Sequence, residues 1–121
     1  MSAAAGTVGS HILADLHGIS KRLLQSGVEL EALLRRAAET AGATVLGSHF
    51  HSFGTAQGIT GVVLLAESHI SIHTWPESDF AAVDIFMCGS ANPQRALDAL
   101  LEALAPTQQH VEIIARGCAT K

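Results

Sequence analysis

Glu67-Ser68 and a histidine five residues on, His73, lie within the apolar, strand-forming run Leu65-Ala66-Glu67-Ser68-His69-Ile70-Ser71-Ile72-His73-Thr74-Trp75-Pro76-Glu77. A serine hydroxyl at a strained junction can attack the carbonyl before it and turn an amide into an ester. That rearrangement needs a strained backbone and fixed donors for the tetrahedral intermediate. A base within reach, for which His73 is the candidate, then removes the serine α-proton and expels the ester. The chain breaks after Glu67, and the dehydroalanine left at position 68 hydrolyses to a pyruvoyl group with loss of ammonia. Such a ketone forms a Schiff base with a primary amine and draws electrons from the substrate α-carbon, so CO2 can leave. The α-carbon must then take a proton, and the thiol of Cys88 is suited to give it.

Plainer roles exist for each of these residues. Glu67-Ser68 alone reads as a solvated turn, and Cys88 as a small buried apolar residue. His49 and His51 share one strand face, and with His69 and His73 they make a four-histidine candidate for zinc. Phe53 serves equally as a packing aromatic or as a stacking platform, and Trp75 reads as packing. Glu77, after Trp75-Pro76, reads as a solvated turn charge.

The elements that must carry these groups follow from periodicity. His11 to His17 alternates as a first strand ended by Gly18. Ser26-Gly27-Val28-Glu29 has the form of a capping box. It opens a helix with Val28, Leu30, Leu33, Leu34, Ala37 and Ala41 on one apolar face, closed by Gly42. Thr44–Phe53 and Ile59–Glu67 read as strands around a Gly-rich turn. From His69 to Trp75 the odd positions take one face, with Ile70 and Ile72 on the other, until Pro76 ends the ladder. In Phe80–Cys88, Val83, Ile85 and Met87 alternate with Asp84, Phe86 and Cys88. Asn92-Pro93 caps a helix with Ala96, Leu97, Leu100, Leu101 and Leu104 inward, and His110–Ala115 is a last strand.

The order β-α-β-β-β-β-α-β has central links too short for parallel crossovers. The expected fold is therefore α+β: a two-layer sandwich, mostly antiparallel, with two helices on one face. Ser68 has the wrong parity to meet His73 along an unbroken strand, so a bend or bulge is expected at Glu67-Ser68.

With 121 residues the chain holds one domain. A net charge of -4 with scattered Lys and Arg argues against a phosphate-backbone binder. Only 15% of residues are charged, which suggests apolar surface covered by a second copy of the chain. Residues 1–8 read as a flexible arm without a secretory signal, and no apolar run is long enough to span a bilayer. Two cysteines, Cys88 and Cys118, make no disulfide framework, so the cytoplasm is the expected compartment.

The block Glu67–Glu77 resembles the self-cleavage motif of prokaryotic S-adenosylmethionine decarboxylase proenzymes, E-S-H-x-x-I-H-T-W-P-E. The resemblance runs from Gly9 to Gly117. It also takes in Gly9-x-His11, His51-x-Phe53, Gly58-Ile59-Thr60-Gly61 and Asp84-x-Phe86-x-Cys88-Gly89. It implies a pyruvoyl cofactor made from Ser68, with cleavage giving a β chain of residues 1–67 and an α chain of residues 68–121. By position, His73 acts in processing, Cys88 donates the catalytic proton and the Thr60 hydroxyl assists cleavage. Phe53 stacks on adenine and Glu77 holds the ribose hydroxyls. The implied assembly is a homodimer with active sites between protomers, and the implied product, decarboxylated S-adenosylmethionine, serves spermidine synthesis. Thr60 stands where the family usually has serine, and Gly54-Thr55-Ala56-Gln57 lacks a proline often found there. Some relatives with the same block act on ornithine or arginine, so the block speaks for the cofactor and leaves the substrate open.

Overall fold

Alternation of aliphatic with polar residues along six segments produces one sheet in a computed structural model, which describes residues 7–117. The strands are β1 (Gly9–His17), β2 (Val45–Ser52), β3 (Ile59–Leu65), β4 (Ser68–Trp75), β5 (Phe80–Cys88) and β6 (Gln108–Arg116). They run in the order β2-β3-β4-β5-β1-β6, and every neighbouring pair is antiparallel. β1 therefore sits between β5 and β6, although both come late in the chain.

The helices are α1 (Lys21–Leu24), α2 (Gly27–Thr40) and α3 (Pro93–Leu104). Ser26 caps α2 by accepting the Glu29 N–H at 3.2 Å. The Glu29 carboxylate binds Arg22 instead, so half of the expected box forms. Asn92 caps α3 through the Gln94 N–H at 3.0 Å, with Pro93 at the first helical position. α2 lies on β2 and β3, α3 lies on β5 and β1, and the two helices pack together.

The core is aliphatic and lies between helices and sheet. Ile12 and Leu16, Val63, Ile70 and Ile72, and Val83 and Ile85 meet Leu30, Leu34, Leu97, Leu100 and Leu104. Each such side chain stabilises the fold by about 1.5–3 kcal/mol. Val28, expected on this face, is 82% exposed. It lies two residues from Leu30, which is more than half a turn around the helix. The buried set Leu30, Leu34, Ala37, Ala38 and Ala41 keeps the spacing one face requires.

Three other expectations shift. α1 is an added one-turn helix. β3 stops at Leu65, and Ala66-Glu67 forms a tight two-residue reversal into β4, so the expected bend is a hairpin turn and not a bulge. The register irregularity falls instead in β2, between Val45 and Gly47. Of the expected arm, Val8 is tied down, its N–H donating to the Arg116 carbonyl at 2.9 Å; residues 1–6 and Cys118 lie outside the described residues. β6 is an edge strand that gives the core only the partly buried Val111, with Ile113 and Ile114 both exposed. The opposite face of the sheet carries no layer among the described residues. Among the described residues, no helix is long and apolar enough to cross a membrane.

Burial assigns these helix positions different weights. Leu100→Ala is expected to cost about 3 kcal/mol in denaturant unfolding. Val28→Ala should stay within about 0.5 kcal/mol of the parent.

Candidate active site

The hairpin turn between β3 and β4 places Glu67 in the left-handed region, with φ 60. A β-carbon makes that conformation costly, on the order of 1 kcal/mol or more. The turn aims the Glu67 carbonyl at β5, where the Cys88 thiol donates to it at 3.3 Å. Cys88 Sγ also lies 3.9 Å from Ser68 Oγ and 4.0 Å from Glu67 Oε1. Register explains the meeting: His69 pairs with Phe86, so Cys88 falls beside the turn. Gly9 pairs with Cys88 from β1, and a β-carbon there would strike the Met87 carbonyl oxygen and come within 3.1 Å of the Cys88 Cβ. Glu67, Ser68 and Cys88 thus form one cluster, and Gly9 makes room for it.

A second cluster sits at the other end of β4. Thr60 and His73 are register partners, and Thr60 Oγ1 lies 3.1 Å from His73 Nδ1. Thr60, His73, Phe53, Trp75 and Glu77 border one cavity of about 320 Å3. Both aromatics are well exposed, Phe53 at 63% and Trp75 at 41%. Trp75 is held against Phe80 in a stacked pair with ring centres 5.4 Å apart. Two exposed aromatic faces and a carboxylate suit a flat heterocycle bearing hydroxyl groups.

The clusters do not meet within one protomer. His73 lies five residues along β4 from Ser68, roughly 16 Å, and on the opposite parity.

The histidines do not gather for a metal. His49 and His51 lie on β2, His69 and His73 on β4, and β3 runs between them. Among the described residues no three His, Cys, Asp or Glu side chains of the chain converge as metal ligands. His11 accepts a hydrogen bond at Nδ1 from Arg116 Nη1 at 3.0 Å, so its Nε2 carries the proton, 3.7 Å from Asp84. Burial holds the neighbouring His69 below the usual histidine range, and a charge on His11 would add to this.

The family profile for S-adenosylmethionine decarboxylase matches residues 10–117. An S-adenosylmethionine decarboxylase proenzyme from Hydrogenobaculum is 43% identical over 114 residues, covering 93% of this chain and 84% of the relative. The chain belongs to the S-adenosylmethionine decarboxylase family. A proenzyme of the same name from Methanococcus aeolicus is 42% identical over 111 residues, covering 91% of this chain and 94% of that one. The crystal structure of the adenosylmethionine decarboxylase from Aquifex aeolicus matches this fold with a TM-score of 0.88 and 40% identity, over 97% of each chain. Membership of the S-adenosylmethionine decarboxylase family agrees with the α+β sandwich.

Two contributors to these clusters escaped sequence reasoning. Trp75 reads as packing until its ring is seen beside the cavity, and its signal was an aromatic on the polar-bearing face of β4. Gly9 belonged to a recognised motif, but the clearance it gives Cys88 depends on strand register.

The histidine environments predict a titration order. A histidine with a lowered folded-state pKa binds fewer protons folded than unfolded, so His69 lowers stability as pH falls through the unfolded-state value. His110 is raised by its contact with Glu112, so its contribution is present at low pH and is lost as pH rises through the folded-state value. A proton NMR titration should show His69 titrating below a free histidine and His110 above it.

Proposed function

We propose that this chain cuts itself between Glu67 and Ser68 and uses the resulting pyruvoyl group to decarboxylate S-adenosylmethionine. The observation that carries this reading is the left-handed Glu67, whose carbonyl receives the Cys88 thiol beside the Ser68 hydroxyl. Ser68 Oγ attacks the Glu67 carbonyl carbon, and the Cys88 S–H holds the developing oxyanion. The C–N bond breaks, its nitrogen takes a proton, and an ester joins the two residues. A base takes the Ser68 α-proton and Glu67 departs as a carboxylate. Water then replaces the nitrogen at position 68, releasing ammonia and leaving the ketone.

The base is His73 of a second copy. The uncovered sheet face carries Thr60, His73 and Cys88, so two chains packed through that face supply one another's missing cluster. Thr60 holds His73 through their 3.1 Å contact. This makes the functional unit a homodimer of cleaved chains. The residues at position 68 fit the cofactor because a serine, a strained carbonyl and a thiol donor already stand together.

The pyruvoyl group supplies the electron sink for loss of CO2. Cys88 returns a proton to the substrate α-carbon. Phe53 and Trp75 take the adenine, and Glu77 takes the ribose hydroxyls. The product would feed spermidine synthesis in the cytoplasm, where a reducing environment keeps the Cys88 thiol free. The paired aromatics favour a nucleoside over ornithine or arginine, which share the cofactor chemistry but carry no aromatic ring.

Mass spectrometry should find fragments spanning 1–67 and 68–121, with a ketone at the new amino end. Ser68→Ala should remain one chain. Ser68→Ala and His73→Ala should each be inert alone. Co-assembled, they should cleave only the His73→Ala chain, because it keeps Ser68 and borrows histidine from its partner. Cleavage of His73→Ala alone at the parental rate would remove His73 from the mechanism. CO2 release from S-adenosylmethionine should exceed that from ornithine or arginine by roughly a hundredfold or more in kcat/KM.

A further inference from the structure

Among the described residues, one polar side chain is buried in the aliphatic core: Thr74, 5% exposed. It follows Ile70 and Ile72 on the face of β4 turned toward the helices, where valine would fill the same space without a hydroxyl to desolvate. The hydroxyl is used twice. It accepts the Ile59 N–H at 2.8 Å and donates to the Leu24 carbonyl at 2.7 Å. One oxygen thus ties the start of β3, the end of β4 and the end of α1. Leu24 is the last residue of α1, where carbonyls lack helical partners. The contact continues next door, where a β-carbon on Gly58 would strike the Thr74 carbonyl oxygen.

The neighbours of these atoms are the residues of the second cluster. Ile59 precedes Thr60, and Thr74 stands between His73 and Trp75. Side chains alternate across the sheet, so the buried hydroxyl sits beneath the strand ends from which Thr60, His73 and Trp75 rise on the other face. Without the hydroxyl, the Ile59 N–H and the Leu24 carbonyl lose partners in a buried setting, a penalty relieved by fraying the start of β3. Fraying there moves Thr60 away from His73 and opens the cavity between Phe53 and Trp75.

We propose that Thr74 is the positioning residue for this half of the active site. Its hydroxyl sets the Thr60–His73 contact used in cleavage and the aromatic spacing used in substrate binding. It touches no reacting atom. The assignment rests on the processing and substrate roles proposed above for those residues.

The test compares Thr74→Val, which keeps the shape and removes the hydroxyl, with Thr74→Ser, which keeps the hydroxyl. Ile72→Val serves as a core control on the same face. Thr74→Val should self-cleave about tenfold more slowly than the parent, the scale of an orphaned buried partner. Once cleaved, it should show KM for S-adenosylmethionine raised by about tenfold, with kcat changed less than about twofold. Thr74→Ser should restore both values to within about twofold. Ile72→Val should lose stability while leaving both values unchanged. A Thr74→Val chain that cleaves at the parental rate with parental KM below its melting temperature overturns the assignment. So does a slowing no greater than that of Ile72→Val at matched loss of stability. If Thr74→Val fails to fold, Thr74→Ser decides: parental cleavage and KM support the hydroxyl, and loss of both overturns it. An uncut parental chain would defeat the reading on which this rests. A cut parent with an indifferent Thr74→Val defeats Thr74 alone.

Discussion

A β-strand turns successive side chains to opposite faces, and that rule governs how this chain can do chemistry. Ser68 and His73 share β4 but stand an odd number of residues apart, so no straightening of the strand brings them together. Ser68, the proposed nucleophile, instead has a local neighbour, a thiol reaching from β5 to the carbonyl of the turn. The histidine is served by Thr60 from β3. Each half is complete as a small hydrogen-bonded unit and incomplete as a reaction centre. In the proposed mechanism the bare sheet face is where two such halves would be joined, which connects an aliphatic one-sided core to a second copy.

Much of this was legible before any coordinates. Period-two alternation marked the strands, the short central links required antiparallel pairing, and the capped apolar repeats located α2 and α3. The parity conflict was also visible in the numbering of Ser68 and His73, although its resolution was not. Glutamate is a poor residue for a left-handed turn, so nothing in its type announced that Glu67 would make the reversal. α1 is a single turn, too short for any periodic signal. Val28 was drawn to the apolar face by its hydropathy, while its angle around the helix put it in solvent. The roles of Trp75 and Gly9 depend on cross-strand register, which a single segment does not encode.

The placement of strain and polarity follows a pattern. The core is aliphatic except at Thr74, and the left-handed glutamate lies at a turn, where its neighbours over-determine it. A hairpin turn is a sensible place to store strain, because the ladders on either side hold it without transmitting it to the helices. At Thr74 one buried oxygen answers two backbone groups.

The strand order has a consequence for the proposed scission at Glu67-Ser68. The leading piece carries β1, α1, α2, β2 and β3, and the trailing piece carries β4, β5, α3 and β6. In the sheet, β1 is threaded between β5 and β6, while β3 abuts β4. The fragments are therefore interleaved like clasped fingers. Separating them would mean tearing three ladders at once, so that scission would cost the molecule a peptide bond without costing it its shape.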